Sequence, residues 1–150
     1  MLHSFLSRHS TWFEEYAVIC PVPSFLGPGA RRRFGHVELV CAEVAHMAGG
    51  EWPAEPLLSK VVETEPMTGK AHPVRKTIGR ALLAHAFRPA PGATIAGRHV
   101  VVVDDVCASG ETLLAAARAL RSAGADEVAG LVLARASWHG PPSAKLAARR

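Results

Sequence analysis

Cysteine and long apolar runs are both scarce in this 150-residue chain. Its three cysteines, Cys20, Cys41 and Cys107, are an odd number at wide spacing, which predicts neither a disulfide framework nor a zinc knuckle. No apolar run approaches the roughly 20 residues that a membrane-spanning helix needs. Residues 1–10 have no long apolar core and no clear cleavage site, so they do not resemble a signal peptide. These absences favour a cytoplasmic protein with no membrane partner.

The composition is that of a folded domain. Hydrophobic residues make up 49% of the chain and charged residues 20%, which excludes disorder of the whole chain. We expect one domain over residues 1–150, with a sizeable core. The net charge of +4 suits an anionic substrate, although many proteins that bind no anion share it. Affinity for nucleic acid is compatible with this charge but is not established by it.

Strands alternate with helices along the chain, as judged from apolar spacing and from proline and glycine. The predicted helices cover residues 2–16 (broken at Ser10 or Thr11), 37–47, 74–87 and 110–123. The predicted strands cover residues 16–22, 57–62, 100–103 and 127–134, with connectors at 53–56 and 89–97 and a mobile loop at 67–73. This alternation predicts an α/β fold with a central, mainly parallel sheet flanked by helices.

The most informative stretch runs from Val100 to Thr112. Four consecutive valines predict a strand that is buried on both faces of a parallel sheet. Asp104 and Asp105 follow at its carboxyl end, the edge of an open α/β sheet where ligands bind. A narrow small-residue turn then leads into a helix whose positive end suits a phosphate. The stretch therefore offers carboxylates for hydroxyls or a metal beside a phosphate cradle, and a sugar phosphate needs both.

This stretch resembles the signature by which type I phosphoribosyltransferases bind 5-phosphoribosyl 1-pyrophosphate (PRPP). The signature is an apolar strand, two acidic residues, two apolar residues and a turn with glycine and Ser/Thr. Cys107 stands where an aliphatic residue is usual, and Ala108-Ser109 replaces a common pair of threonines. The resemblance implies the type I fold, with a small hood and a flexible lid loop. It also implies Mg²⁺ as cofactor, and transfer of the phosphoribosyl group to an unidentified amine or base with release of pyrophosphate.

The resemblance also assigns roles to residues of the signature. Asp104 and Asp105 would meet the ribose hydroxyls and hold Mg²⁺, directly or through substrate or water. The 5′-phosphate would lie on the turn, which consists of Ala108, Ser109, Gly110, Glu111 and Thr112. The alternatives are a capping or loop pair for the two aspartates and simple helix caps for Ser109 and Thr112.

The pyrophosphate half of the site is marked less clearly. The resemblance places it at the loop Val22-Pro23-Ser24, after the second predicted strand. Lys60 and Arg75 are candidate phosphate contacts, and the resemblance implies that they belong to the lid segment, although most exposed basic residues are only solvated. The run Arg31–Arg33 either reaches pyrophosphate or forms a solvated surface.

Shorter motifs over most of the chain resemble the ComF-like branch of the family, which is linked to competence and DNA uptake. They are Pro21-Val22-Pro23, Arg31–Gly35, Lys60-Val61-Val62, Arg75, Ala86-Phe87-Arg88 and Ala96-Gly97-Arg98. The four-cysteine zinc module that often accompanies this branch is not in the sequence. The usual Arg-Gly-Phe-Asn/Asp reads Arg33-Phe34-Gly35-His36, and Met67 lies near an expected glutamine.

Two other functions stay open beside a PRPP-dependent transferase. One is a non-catalytic PRPP- or nucleotide-binding protein linked to DNA uptake or processing, since a fold does not determine a function. The other is binding of single-stranded DNA through the arginine run, which lacks the interleaved aromatic residues of a stacking platform. Trp138 and His139 either pack over the sheet edge or contribute to a homodimer. Cys107 is either a thiol activated at a helix N-terminus or a small buried side chain.

Overall fold

The computed structural model describes residues 2–13, 16, 18–30, 33–49, 52–63, 83, 85–107 and 109–135. The helices in these ranges are α1 (Leu2–Arg8), α2 (Ser10–Phe13), α3 (His36–Met47) and α4 (Glu111–Ser122). The strands are β1 (Val18–Pro21), β2 (Leu58–Lys60), β3 (Phe87–Pro89), β4 (His99–Cys107) and β5 (Glu127–Arg135). None of the described helices is long and apolar enough to cross a membrane.

A parallel sheet of three strands, in the order β1-β4-β5, forms the centre of the fold. Residue Ile19 of β1 also forms a parallel bridge to Ala54, so part of the predicted connector at 53–56 extends this sheet. Strands β2 and β3 form a separate antiparallel pair. The predicted α/β class, with a mainly parallel sheet and flanking helices, is confirmed.

Successive side chains of β4 enter two different cores, because side chains alternate across a strand. Val100 and Val102 pack with β1, the β2–β3 pair and α4. Val101 and Val103 pack on the other face with α1 and α3. All four valines are at most 2% exposed, which confirms the prediction of a strand buried on both faces. The two layers therefore hold the carboxyl end of β4 between the first turns of α3 and α4.

The amino end of the sheet is closed by polar groups that pair with one another. Arg98 donates two hydrogen bonds to Glu55, from Nη1 to Oε2 at 2.7 Å and from Nη2 to Oε1 at 2.9 Å. These bonds hold the pKa of Glu55 below its ordinary range. The hydroxyl of Tyr16 donates to Glu127 Oε1 at 2.9 Å. The polar side chains at this end of the sheet therefore serve to hold the structure together.

The apolar sequence of residues 127–134 predicts another buried strand, but β5 lies at the edge of the described sheet. Each of its residues is at least partly exposed, in contrast to Val100–Val103. Among the described residues it pairs only with β4. An apolar run predicts a strand, but the position of that strand in the sheet depends on its neighbours.

Strand β3 corrects the prediction of a helix over residues 74–87. Leu83 is helical, whereas Phe87 pairs with Lys60 in the antiparallel ladder, and residues 74–82 and 84 lie outside the described ranges. Phe87 is 5% exposed and packs in the core that contains α4. Pairing with β2 and burial of the ring outweigh the local helical periodicity, and Pro89 is tolerated because it ends a short edge strand.

Candidate functional site

The acidic pair lies inside β4, which continues to Cys107 and so extends beyond the predicted end at Val103. Pairing with β5 continues through Val106 and Cys107. The Asp105 N–H donates to Asp104 Oδ1 at 2.9 Å, and the Val106 N–H donates to Asp105 Oδ1 at 2.7 Å. Backbone donors thus hold one oxygen of each carboxylate at the mouth of the sheet.

The two aspartates have opposite pKa shifts although they are neighbours of the same type. Burial raises the pKa of Asp104 from 3.8 to about 6, and the nearby charge of Asp105 adds to the effect. Burial also acts on Asp105, but its hydrogen bonds with His36 and the Val106 N–H outweigh that effect and lower its pKa. Asp104 is therefore the one of the two carboxylates that binds a proton more readily.

His36 is the site residue that the sequence analysis did not identify. It is the first residue of α3, and its Nε2–H donates to Asp105 Oδ2. The contact follows from the layering, since Asp105 lies on the same side of β4 as Val101 and Val103, which face α3. The only sequence signal was the departure from the family motif at this position.

The turn that is predicted to bind the phosphate ends in Gly110, a position whose positive φ favours glycine. Gly110 is the N-cap of α4, has φ +79°, and makes no side-chain cap. The Ser109 hydroxyl lies 3.5 Å from the N–H of Glu111, and Thr112 follows in the first helical turn. The N–H groups of such a turn have no partner within the helix. Four of the five predicted phosphate residues are therefore at one helix N-terminus, while Ala108 lies outside the described residues.

Gly110→Ala is expected to lower the free energy of unfolding by about 1–2 kcal/mol, because a Cβ is disfavoured at positive φ. Space is not the obstacle, since an ideal Cβ would lie 3.9 Å from Cys107 Sγ. Phosphate binding should weaken with it as the turn changes conformation. Gly130→Ala is the matched control, because its Cβ would lie 3.5 Å from Leu113 without a positive φ. Urea unfolding measures both, and an equal loss of stability in the two variants would contradict the prediction.

The predicted pyrophosphate loop is hydrogen-bonded both to β4 and to α3. The N–H of Val22 donates to the Val103 carbonyl at 2.8 Å, directly before the acidic pair. Pro23 has no N–H to offer. The N–H of Ser24 donates to Glu38 Oε1 at 2.9 Å. Backbone donors for a pyrophosphate must therefore come from residues after Ser24, while the Ser24 hydroxyl is a further candidate.

The predicted basic contacts are placed only in part. Lys60 lies on β2, with its Nζ 5.9 Å from the centre of the Phe87 ring. Arg33 is exposed. Arg75, Arg31 and Arg32 lie outside the described residues, as do the predicted mobile loop at 67–73 and the tail with Trp138 and His139.

The residues at the mouth of the sheet fit a magnesium ion that is shared with a substrate. Among the described residues, no group of three or more His, Cys, Asp or Glu side chains could enclose a metal. Asp104 and Asp105 supply the hard oxygen donors that Mg²⁺ prefers, and one or two carboxylates are the usual protein share when phosphates supply the rest. The donor set thus fits indirect or shared binding and does not fit an all-protein site.

Comparison with known proteins agrees with this geometry. Residues 58–147 match the family described as "Phosphoribosyl transferase domain". The DNA utilization protein YhgH of Salmonella typhimurium is 29% identical over 123 residues, which cover 82% of this chain and 51% of that protein. An adenine phosphoribosyltransferase of Mycobacteroides abscessus is 59% identical over 46 residues, which cover 30% of this chain and 26% of that protein. The chain therefore spans about half of the one relative and about a quarter of the other.

A solved structure shares the fold. Adenine phosphoribosyltransferase from Saccharomyces cerevisiae matches with a TM-score of 0.51 and 19% identity, over 90% of this chain and 66% of that one. This likeness confirms the predicted fold. The similarity to YhgH over most of the chain agrees with the ComF-like resemblance.

Proposed function

Because this chain belongs to the phosphoribosyl transferase domain family, we propose that it binds PRPP and transfers the phosphoribosyl group to a nitrogen nucleophile. The observation that supports the proposal is the acidic pair at the carboxyl end of β4, followed directly by the glycine-capped N-terminus of α4. The pair offers acceptors for two ribose hydroxyls, and the turn offers donors for the 5′-phosphate. Acceptors for the ribose and donors for its phosphate thus lie within one strand–turn–helix segment.

The residues would act by binding and electrostatics, without a covalent intermediate. The C1–O bond to pyrophosphate breaks with its electrons on the leaving group, the nitrogen forms the new bond, and its proton passes to water. Asp104 and Asp105 orient the ribose, and their negative charge favours the positive charge that develops at C1. Mg²⁺, when bound with the substrate, would neutralise charge on the pyrophosphate. Residues of the predicted lid, Lys60 and Arg75 among them, are proposed to add cationic contacts.

Isothermal calorimetry with PRPP tests the proposal. We expect saturable binding with Mg²⁺ and binding about tenfold weaker or more when EDTA removes the ion, because the carboxylates and the diphosphate then repel each other. Ribose 5-phosphate should compete, since it keeps the groups that the 104–112 segment binds. Absence of PRPP binding by the folded protein would overturn the proposal.

A second candidate is a PRPP sensor that does not catalyse transfer and is linked to DNA processing. The similarity to a DNA utilization protein over 82% of this chain supports it. Pyrophosphate release in the presence of purine bases, pyrimidine bases and ammonia separates the two functions. Release with any acceptor favours the transferase, whereas tight binding without release favours the sensor. The cytoplasmic location, the single domain and the homodimer stay predictions from the sequence.

A further inference from the structure

The first turn of α3 contacts both halves of the proposed site. Gly35 is the N-cap of this helix, and Glu38 is its third helical residue. A glutamate at that position commonly folds back over the cap. Here the carboxylate does so, since an ideal Cβ on Gly35 would lie 2.1 Å from Glu38 Cδ and Oε2. Glycine at position 35 therefore provides the space that the Glu38 carboxylate occupies.

From this position Glu38 reaches the loop after β1. Its Oε1 accepts the Ser24 N–H at 2.9 Å, across 14 residues of sequence. Its Oε2 is buried and has no hydrogen-bond partner among the residues that the structure describes. The contact ties the loop to the first turn of α3, and the Ser24 N–H is engaged by Glu38.

His36, two residues earlier, reaches the other half of the site through Asp105. One helical turn thereby supports a carboxylate of β4 and a backbone amide of the loop after β1. The loop is also bonded to β4 by the Val22 N–H, at 2.8 Å from the Val103 carbonyl. These bonds fix the separation between the two halves.

We propose that Glu38 and His36 are positioning residues for the proposed PRPP site. Glu38 sets the loop that receives the pyrophosphate, and His36 sets the carboxylate that receives the ribose. The proposal rests on the proposed function, and it concerns two residues for which the family signature gives no role. It follows from contacts between α3 and each half of the site.

Ligands that carry only half of PRPP separate the two roles. In Glu38→Ala, we expect PRPP and pyrophosphate to bind about tenfold more weakly, while ribose 5-phosphate changes by less than about twofold. In His36→Ala, ribose 5-phosphate should weaken by about tenfold and pyrophosphate should change little. Glu38→Gln keeps an acceptor for the Ser24 N–H and should restore binding to within about threefold of the wild type.

Gly35→Ala provides an independent route to the same result, because its Cβ displaces the Glu38 carboxylate without removing it. It should reproduce the Glu38→Ala pattern, and thermal melting shows whether each variant is folded. Equal weakening of both half-ligands in every variant would indicate general loss of packing and overturn the proposal. Tighter pyrophosphate binding in Glu38→Ala would also overturn it, because Glu38 would then compete with the ligand. If the wild type binds these ligands and the variants show no such separation, this inference fails while the proposed function stands.

Discussion

Asp104→Asn is expected to stabilise the ligand-free protein and to weaken the proposed binding of PRPP strongly. Burial raises the pKa of Asp104 to about 6, so the ionised carboxylate is unfavourable in the folded protein at neutral pH. Replacing it with a neutral amide of similar shape should raise the free energy of unfolding at pH 7 by about 2 kcal/mol. The same change removes a hydroxyl acceptor and an oxygen donor for Mg²⁺, which should weaken PRPP binding more than about 100-fold.

The effect of Asp104 on the free energy of unfolding should depend on pH. The folded protein holds the Asp104 proton more tightly than the unfolded chain does, because the folded pKa is about 6 and the ordinary value is 3.8. The contribution of Asp104 to stability is therefore fully present below about pH 4, is lost as the pH rises to about 6, and is absent above that. In Asp104→Asn this loss between pH 4 and 6 should disappear.

Asp105→Asn is the matched control, since it makes the same chemical change one residue away. Burial alone would raise the pKa of Asp105, but its hydrogen bonds with His36 and the Val106 N–H outweigh burial and lower the pKa. Its contribution is present above the ordinary carboxyl pKa and lost as the pH falls, so Asp105→Asn should lower stability at neutral pH. Urea unfolding of both variants in EDTA from pH 4.5 to 7.5 measures the difference. Loss of stability in Asp104→Asn at pH 7 would show that its charge is not costly.

Leu120→Ala is expected to lower the free energy of unfolding by about 3 kcal/mol, the usual loss for a fully buried leucine. Leu120 is 0% exposed and lies in the core between α4, β1 and the β2–β3 pair. This packing holds α4 against β4, and the N-terminus of α4 follows the acidic pair along the chain. The variant should therefore also loosen the phosphate turn and weaken ribose 5-phosphate binding.

Leu114→Ala removes the same atoms from the same helix where they are 42% exposed. It should change the free energy of unfolding by about 0.5 kcal/mol or less. Urea unfolding of the two variants tests whether burial is the cause. Similar losses in both would indicate that helix propensity, and not the core, holds α4 in place.

The segment proposed to bind the sugar phosphate could be located from the sequence because it is local. Asp104, Asp105 and the turn up to Thr112 lie within one strand–turn–helix segment, so their order along the chain is also their order in space. The β-branched run Val100–Val103 made the strand evident, and Gly110 was placed by its turn chemistry. The α/β class followed from the same kind of short-range pattern.

The contacts of α3 could not be predicted in this way. His36 and Asp105 are separated by 69 positions, and Ser24 and Glu38 by 14. No periodicity records such pairs, because they form only when the β1–α3 unit packs beside β4. The β2–β3 pairing was missed for the same reason, since Phe87 takes its partner from a strand that lies 27 residues earlier.

The amino-acid sequence alone specified the class of fold and the buried strand, and it located the acidic pair beside a tight turn, because each depends on neighbours in the chain. Tertiary packing decided which strand lies at the sheet edge and which helix supports the pair. It also decided that two adjacent aspartates have opposite pKa shifts. Desolvation and through-space hydrogen bonds depend on the segments packed around a group, and these segments come from distant parts of the sequence.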